Sequence, residues 1–289
     1  MHKLIIYAKS KTLLIKELYK HFDIEFLEEK SFMSKGIGKN AVYPDVYFHS
    51  GILDDKAINL IQHSKQVIAN SNSAKNDIVN KALVNKDKVT VVYPAIRLSE
   101  LKAKEAKRQL CEELHIDKKT RIIFFTARNL KTNGVKELFD ILMAITNDNY
   151  KVIIAGEGEQ INTLKFQISK FKINDKVVFY EDFKNMDLLY AACDIFILPT
   201  YVKNFSINVL KAMSLKSAVF VSAHNSAREV VDVFATMESP LDPNTSFKVD
   251  ALLKNKDELK LIKKQNAKVV KHFTVEKQIQ KLIASLNIT

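Results

Sequence analysis

The stretch DIFILPTYVKNFSINVLKAMSLKSAVFVSA, residues 194–223, decides the fold of this chain. It begins and ends with a compact run rich in Ile, Val and Phe, and a polar loop and a helical pattern lie between the two runs. Short apolar runs that stop at small or turn-forming residues are typical of buried parallel strands. The stretch therefore predicts a strand–helix–strand unit of a doubly wound sheet, whose ligands bind at the carboxyl ends of the strands.

The same alternation extends in both directions from this stretch. The clearest helix is predicted over residues 135–145, where apolar residues recur at the i, i+3, i+4, i+7 spacing of one helical face. Alternating strands and helices place the chain in the α/β class. Further strands are predicted at residues 4–8, 45–48, 66–70, 89–94, 121–127, 151–156 and 176–180.

The length of the chain favours more than one domain. At 289 residues it exceeds the size at which single cores usually stop growing, which leaves two domains or one large α/β unit. Residues 97–120 are charged and lack strand character, so we predict a linker followed by a leading helix. The tail, residues 257–286, is predicted to form two amphipathic basic helices broken near His272.

The composition is basic, with 45 Lys and Arg against 33 Asp and Glu and a net charge of +12. Such an excess favours nucleotide phosphates, anionic lipid surfaces or nucleic acid as partners. The alternative explanation is compositional bias alone, because lysine is spread along the whole chain. Nucleic-acid binding has only this charge in its favour, so we expect no nucleic-acid partner. The tail helices either pack on the body with a solvated lysine face or contact a membrane surface.

The remaining composition points to a reduced compartment. Cys111 and Cys193 have no spacing that would hold zinc or build a disulfide framework. The apolar run at the N-terminus is too short for a signal peptide, and no stretch approaches the roughly 18 apolar residues of a membrane span. We expect a cytoplasmic protein that is at most peripheral at the cytoplasmic face of a membrane. The absence of a D-x-D motif speaks against a metal-bridged diphosphate, and there is no H-E-x-x-H or P-loop motif; we expect no cofactor.

Two strand-to-helix loops carry residues suited to an anion. In TARNLKTNGVKELF, residues 126–139, Arg128 offers a planar fork to phosphate oxygens, and a helix begins after Gly134. The alternative is an arginine that pairs with a carboxylate at the strand end. In the opening stretch, the predicted helix start directs the amides of Ser206, Ile207 and Asn208 toward the same edge of the sheet. The two loops together predict a diphosphate site.

A third loop contains closely spaced glycines. In VIIAGEGEQINTL, residues 152–164, Gly156 and Gly158 let the backbone turn sharply and approach a ligand. The third glycine of a dinucleotide fingerprint is missing, which disfavours nicotinamide binding.

These motifs resemble those of the family-4 glycosyltransferases, also called glycosyl transferases group 1. The resemblance covers roughly three quarters of the chain, from about residue 65 to the C-terminus. Its most recognisable part is VVFYEDFKNMDLLYAACDIFILPT together with the opening stretch and AREVV. The other contributing segments are HSKQVIANSNSAKNDIV, VTVVYPAI, TARNLKTNGVKEL, IIAGEGEQ and NAKVVKHFTVEKQIQKLI.

The resemblance implies an α/β protein with the GT-B fold, in which two Rossmann-like parallel-sheet domains face each other across a cleft. Residues 1–98 would form a reduced N-terminal domain on the acceptor side. Residues 99–272 would form the C-terminal domain that binds the nucleotide sugar, and residues 273–289 a helix that packs back toward the N-terminal domain.

The resemblance also implies residue roles. Arg128 would grip the donor diphosphate, while Asn133 occupies the position of a second basic residue and Lys131 is its conceivable substitute. The two glutamates of the family's E-x7-E pattern fall on Lys203, expected near the donor sugar, and Lys211, expected near the ribose. The catalytic candidates are Arg128 and His49. The donor-binding candidates are Lys131, Asn133, Gly156, Gly158, Lys203, Phe205, Ser206, Ile207, Asn208 and Lys211.

The N-terminal part departs from the family pattern. The first strand is followed by KSKT without the usual glycines, and Gly36 and Gly38, later in the chain, are candidates to serve instead. His49 ends a predicted strand, and catalytic and purely structural roles are both open for its imidazole.

The function implied by the resemblance is transfer of a sugar, of the hexosyltransferase type, from a nucleotide-diphosphate sugar to a glycan or lipid-linked acceptor. It further implies retention of anomeric configuration, no metal, and a place in cell-surface polysaccharide or lipopolysaccharide synthesis. Lys203 and Lys211 leave an alternative to sugar transfer open. A carboxylate accepts hydrogen bonds from the hydroxyls of a sugar diol, whereas an ammonium group can only donate them. That alternative is a non-catalytic GT-B protein that binds a glycan, a nucleotide or a partner transferase.

Overall fold

The computed structural model describes residues 3–27, 42–169, 171–181 and 185–286. The chain divides into two units. Unit 1 is built from Met1–Arg97 and His272–Thr289, and unit 2 from Leu98–Lys271. Gly36 and Gly38 lie outside the described residues.

The elements alternate along the chain, as the apolar runs predict. The strands are β1 (Leu4–Ala8), β2 (Ile24–Phe26), β3 (Val46–Phe48), β4 (Gln66–Ala69), β5 (Val89–Val91), β6 (Arg121–Thr126), β7 (Tyr150–Gly156), β8 (Val177–Glu181), β9 (Ile195–Leu198), β10 (Ala218–Ser222) and β11 (Thr236–Met237). The helices are α1 (Leu13–Leu18), α2 (Asp55–His63), α3 (Asn72–Ala82), α4 (Ala103–Glu113), α5 (Val135–Met143), α6 (Gly158–Ile168), α7 (Met186–Ala192), α8 (Ile207–Ser214), α9 (Asn244–Lys254), α10 (Lys256–Val269) and α11 (Val275–Ser285).

Unit 1 is a parallel sheet with the strand order β2-β1-β3-β4-β5. One apolar cluster joins β1 to α1 and α11, with Ile15, Leu18 and Leu282 fully buried in it. A second cluster on the other side of the sheet contains Ile61 of α2 and Ile78 of α3. Burial on both faces explains why these strands are nearly continuous apolar runs. It also means that α11, from the C-terminal end of the chain, completes the core of unit 1.

Unit 2 is a parallel sheet with the order β11-β10-β9-β6-β7-β8. The chain adds β7 and β8 on one side of β6 and then returns to place β9 on its other side. Ile123 of β6 pairs with Ile195 of β9 at this junction. Reversal of the strand order opens a crevice beyond the carboxyl ends of the two strands, where doubly wound sheets bind their ligands.

The α/β class with parallel sheets is confirmed, and the predicted strands are all present. Two strands were not predicted, β2 and β11, and both lie at sheet edges. The helix predicted over residues 135–145 is α5, and the break near His272 is a short 3-10 turn, Val270–Phe273, between α10 and α11. Among the described helices, none combines the length and the apolar character that crossing a membrane requires.

A buried carboxylate fastens helices to the edge of the unit 2 sheet opposite the crevice. Asp194 precedes β9 and is 4% exposed. It accepts hydrogen bonds from Lys107 Nζ of α4 at 2.5 Å and from Lys263 Nζ of α10 at 3.0 Å. The amide of Ile122 donates to it at 3.1 Å. Burial by itself would raise the pKa of Asp194, but the two ammonium groups and these hydrogen bonds hold that pKa below its ordinary value.

Candidate functional site

A pocket of about 280 Å³ opens at the carboxyl edge of the unit 2 sheet, where the strand order reverses. Its walls come from the end of β6, the loop after β7, and the helices α7 and α8. This volume lies near the lower end of the roughly 300 to 1,000 Å³ that ligand pockets occupy. The lining residues are Thr126, Ala127, Arg128, Glu157, Met186, Tyr190, Asn208 and Lys211.

The backbone around Arg128 is fixed by a neighbouring side chain. Gln160 of α6 donates from Nε2 to the carbonyl of Arg128 at 3.1 Å and accepts from the amide of Leu130 at 2.8 Å. The guanidinium of Arg128 is exposed and forms no ion pair with any described residue. A fixed backbone that carries an unpaired cation is prepared to receive an anion, because little order must be gained on binding. Gln160 was not predicted from the sequence.

The first turn of α8 is tied to the end of β6. Asn208 Nδ2 donates to the carbonyl of Thr126 at 3.2 Å, and the hydroxyl of Thr126 donates to the carbonyl of Ala155 at 3.0 Å. Asn208 therefore brings α8 next to the strand that precedes Arg128. The predicted convergence of these two loops is present in the structure.

The loops after β6 and β9 meet at Gly134, which precedes α5. Gly134 has φ +87°, and a Cβ atom there would lie 1.8 Å from the carbonyl oxygen of Pro199. Beside it, Asn133 donates from Nδ2 to the carbonyl of Asn129 at 2.8 Å and accepts from the hydroxyl of Thr200 at 2.8 Å. Both ends of the Asn133 amide are thus engaged, one within the loop after β6 and the other with the loop after β9, and Asn133 does not line the pocket.

Asn225 organises the loop that leads into α8. This residue is 1% exposed, and its Nδ2 donates to the carbonyls of Val202 at 2.9 Å and Asn204 at 2.7 Å. Its Oδ1 accepts from the amides of Ser206 at 3.1 Å and Ala227 at 3.0 Å. All hydrogen-bonding positions of one buried amide are used, which gives the loop a single defined conformation.

The engagement of Ser206 corrects one expectation, because its amide was predicted to be free for a ligand. In the described residues, the amides of Ile207 and Asn208 remain as unengaged donors at the start of α8. Phe205, just before them, is 6% exposed and belongs to the core.

The pocket carries two cations and one carboxylate. Arg128 and Lys211 are the cations and Glu157 is the acid. Lys211 forms no ion pair with a described residue, and its Nζ lies 5.9 Å from the centroid of the Tyr190 ring. Burial raises the pKa of Tyr190 well above its ordinary value, so this wall of the pocket is neutral at all physiological pH values.

Other predicted donor-site residues lie away from the pocket lining. Lys131 and Lys203 are exposed, and the carbonyl of Lys203 accepts from the amide and the hydroxyl of Ser226, each at 2.9 Å. The side chain of Lys203 therefore projects from a loop that is fixed through its backbone.

The two glycines after β7 have different surroundings. A Cβ atom at Gly156 would lie 2.5 Å from Cδ1 of Leu130, so this glycine lets the loop after β6 pack onto β7. The predicted reason for Gly156 was close approach of a ligand. At Gly158 a Cβ atom would only touch Glu181 Oε2, at 3.5 Å.

His49 belongs to unit 1, where it follows β3 and is 6% exposed. Its Nδ1 has no hydrogen-bond partner in the described part of the chain. Burial and the nearby charge of Lys9 lower the pKa of His49 to about 4. The imidazole is therefore neutral at pH 7.

The described residues offer no group of three or more His, Cys, Asp and Glu side chains arranged to hold a metal ion.

Comparison with known proteins assigns a family to most of unit 2. The model of the family described as "Glycosyl transferases group 1" matches residues 106–269, which is more than half of the chain. A curated relative, the N,N'-diacetylbacillosaminyl-diphospho-undecaprenol alpha-1,3-N-acetylgalactosaminyltransferase of Campylobacter jejuni, is 31% identical over 120 residues. That match covers 41% of this chain and 30% of the relative, so the chain spans less than a third of the relative's length in this match.

Solved structures are similar over nearly the whole chain. HepE of Anabaena, in complex with UDP and glucose, has a TM-score of 0.75 and 15% identity and covers 99% of this chain and 100% of its own. WaaG, a glycosyltransferase involved in lipopolysaccharide biosynthesis, has a TM-score of 0.71 and 9% identity and covers 100% of both chains. A glycosyltransferase from Rickettsia africae has a TM-score of 0.74 and 15% identity and covers 97% of this chain and 75% of its own. At these identities the similarity shows the GT-B fold.

Proposed function

Because the chain belongs to the family of glycosyl transferases group 1, we propose that it transfers a sugar from a nucleotide-diphosphate sugar to an acceptor. In such a reaction the departing group is a diphosphate, and transition-state stabilisation depends on cations and amides placed where its charge develops.

The observation that carries this proposal is the position of Arg128. Its guanidinium forms no ion pair within the described part of the chain and lines the pocket at the point where the unit 2 sheet reverses its strand order. The first turn of α8 contributes the amides of Ile207 and Asn208 nearby, because Asn208 is bonded to the end of β6. A guanidinium and a helix start at one pocket form a receptor for phosphate oxygens.

The finer parts of the proposal rest on the relatives and on the sequence motifs. The name of the C. jejuni relative specifies a diphospho-undecaprenol acceptor, and this supports a lipid-linked or glycan acceptor for this chain. We propose transfer of a hexose or related sugar with retention of configuration and without a metal. The setting would be synthesis of cell-surface polysaccharide or lipopolysaccharide, at the cytoplasmic face of a membrane.

Titration with a panel of nucleotide sugars tests the proposal directly. A donor present at 100 times its Kd should stabilise the protein by about 2.7 kcal/mol, seen as a rise in Tm. The same donors are then incubated with the protein, and release of the nucleoside diphosphate is measured with and without candidate acceptors. Absence of both a Tm rise and nucleotide release across the panel would contradict the proposal.

Arg128→Ala tests the placement of the diphosphate. We expect it to weaken donor binding by about tenfold or more, because a charge-assisted hydrogen bond is lost. The Tm of the free protein should stay the same, since the side chain is exposed and forms no ion pair with the residues that the structure describes. Arg108→Ala, which removes the same charge from an exposed position of α4, is the matched control. Equal donor affinities in the two variants would remove Arg128 from the site.

One observation favours a second candidate function. Lys211 lines the pocket at a position where, by the resemblance, the family has the second glutamate of its E-x7-E pattern. A ligand-binding GT-B protein without transferase activity would show the Tm rise with a nucleotide or glycan and no turnover with any acceptor.

A further inference from the structure

The two cations of the pocket are both available to a ligand. Arg128 and Lys211 line the same space of about 280 Å³, and neither forms an ion pair with a described carboxylate. Like charges held in one partly enclosed space repel each other, and an anion bound between them offsets this repulsion. The pocket therefore has room and charge for one ligand group with at least two negative oxygens.

Lys211 is oriented toward this space by its surroundings. It lies one turn after Asn208, whose side chain is anchored to the carbonyl of Thr126 at the end of β6. Its Nζ lies over the ring of Tyr190, and that ring packs edge-on against Phe124 with centroids 5.0 Å apart. A rigid aromatic wall beneath the ammonium group reduces the conformational freedom that Lys211 loses when it binds an anion.

The other candidates for a second cation do not reach the pocket. Lys131 and Lys203 are exposed and absent from its lining. The amide of Asn133 is engaged at both ends, by Asn129 and Thr200, and carries no charge. Among the described residues, Lys211 alone remains as the partner of Arg128.

We propose that Arg128 and Lys211 together hold the diphosphate of the ligand, with Lys211 as a phosphate-binding residue and not a ribose-binding one. Glu157, the acid of the lining, repels a diphosphate and accepts hydrogen bonds, so it favours a hydroxyl group of the same ligand at its side of the pocket. The inference deepens the proposed function by assigning its diphosphate subsite to two named side chains.

Calorimetry with inorganic pyrophosphate, UDP and uridine tests this assignment. Lys211→Met keeps an unbranched apolar stem over Tyr190 but removes the charge, and it should weaken the binding of pyrophosphate and UDP by about tenfold to a hundredfold. Its affinity for uridine should equal that of the wild type. Lys211→Arg restores the cation and should recover most of the pyrophosphate affinity. Lys260→Met, at an exposed position of α10, is the matched control and should bind like the wild type.

Three results would overturn the inference. The first is that the wild type does not bind pyrophosphate. The second is that Lys211→Met binds pyrophosphate as tightly as the wild type does. The third is that Lys211→Met loses affinity for uridine but keeps its affinity for pyrophosphate. A screen of the salt dependence gives a further check, because Lys211→Met should show a shallower decrease of UDP affinity with ionic strength than the wild type does.

The outcome is distinguishable from that of the proposed function. Pyrophosphate binding that depends on Lys211, in a protein that transfers no sugar, supports the inference and contradicts the proposed function. Sugar transfer by a protein whose pyrophosphate affinity does not depend on Lys211 supports the proposed function and contradicts the inference.

Discussion

Gly134 lies where the loop after β6 packs against the loop after β9. Its φ of +87° disfavours side chains, and a Cβ atom would fall 1.8 Å from the carbonyl oxygen of Pro199. We expect Gly134→Ala to lower the free energy of unfolding by about 2 kcal/mol or more, because the backbone must shift at the contact. Gly158→Ala is the control, with an expected change within about 0.5 kcal/mol. Urea unfolding measures both, and equal stabilities would show that the two loops do not need this contact.

His49 makes the stability of unit 1 dependent on pH. Its folded-state pKa of about 4 lies below the ordinary 6.5, so the unfolded chain binds the proton first as the pH falls. Stability should therefore be lost progressively between pH 6.5 and about 4, by at most about 3 kcal/mol. Asp54 and Asp77 oppose this shift, whereas Lys9 adds to it.

His49→Phe removes the titrating group and keeps a ring, and it should flatten the stability of the protein across this pH range. The comparison is made by urea unfolding at pH 7, 6 and 5. A wild type and a variant with the same pH slope would show that the pKa of His49 is the same in the folded and the unfolded chain.

The position of one candidate site residue followed from its place after a strand, and its role stays a prediction. Arg128, an arginine directly after an apolar strand, was identified from the sequence and lies in the pocket. Gln160 and Asn225 were missed, although they fix the two loops of the site. Nothing local in a sequence separates a buried amide from an exposed one, because the difference depends on which carbonyls the fold brings near it.

At the scale of elements, the prediction succeeded for strands buried on both faces. Such strands, for example β6 and β7, must be apolar at nearly every position. The edge strands β2 and β11 have three and two residues, too few to show any periodicity. The order of the strands was also beyond the sequence pattern, because apolar periodicity reports burial and not the identity of the neighbouring strand.

Helices α4 and α10 are held to the unit 2 sheet through Asp194. We expect Asp194→Asn to lower the free energy of unfolding by about 2 to 4 kcal/mol, because Lys107 and Lys263 lose their shared counter-charge in a mostly buried place. Asp148→Asn is the control, since Asp148 is 97% exposed and pairs with Lys176 at 3.7 Å, and it should change stability by less than about 1 kcal/mol.

The pH dependence of stability in the wild type and in Asp194→Asn gives a second measurement. The pKa of Asp194 is held below the ordinary value, so its contribution is complete at neutral pH and is lost as the pH falls below about 4. Asp194→Asn should therefore lose less stability than the wild type does when the pH is lowered from 5 to 3. A wild type and a variant that lose equal stability would place the ionised group elsewhere.

At the scale of the whole molecule, unit 1 is discontinuous in sequence. Leu282 of α11 is fully buried in the cluster that also contains Ile15 and Leu18. We expect Leu282→Ala to cost about 2 to 5 kcal/mol of stability and to increase amide hydrogen exchange in β1 and α1. Leu261→Ala, at a 65% exposed position of α10, should leave both unchanged. Full protection of β1 in Leu282→Ala would contradict this role of α11.

The contribution of α11 to unit 1 has a consequence for folding during translation. The N-terminal strands emerge first, yet the helix that covers one side of their sheet is translated only after the whole of unit 2. At about 5 to 20 residues per second, the interval between Arg97 and Val275 lasts roughly ten to forty seconds. Throughout that time α1 alone covers part of this sheet face and the surface that α11 later buries stays exposed, so unit 2 should mature first and chaperones should engage the N-terminal segment during translation.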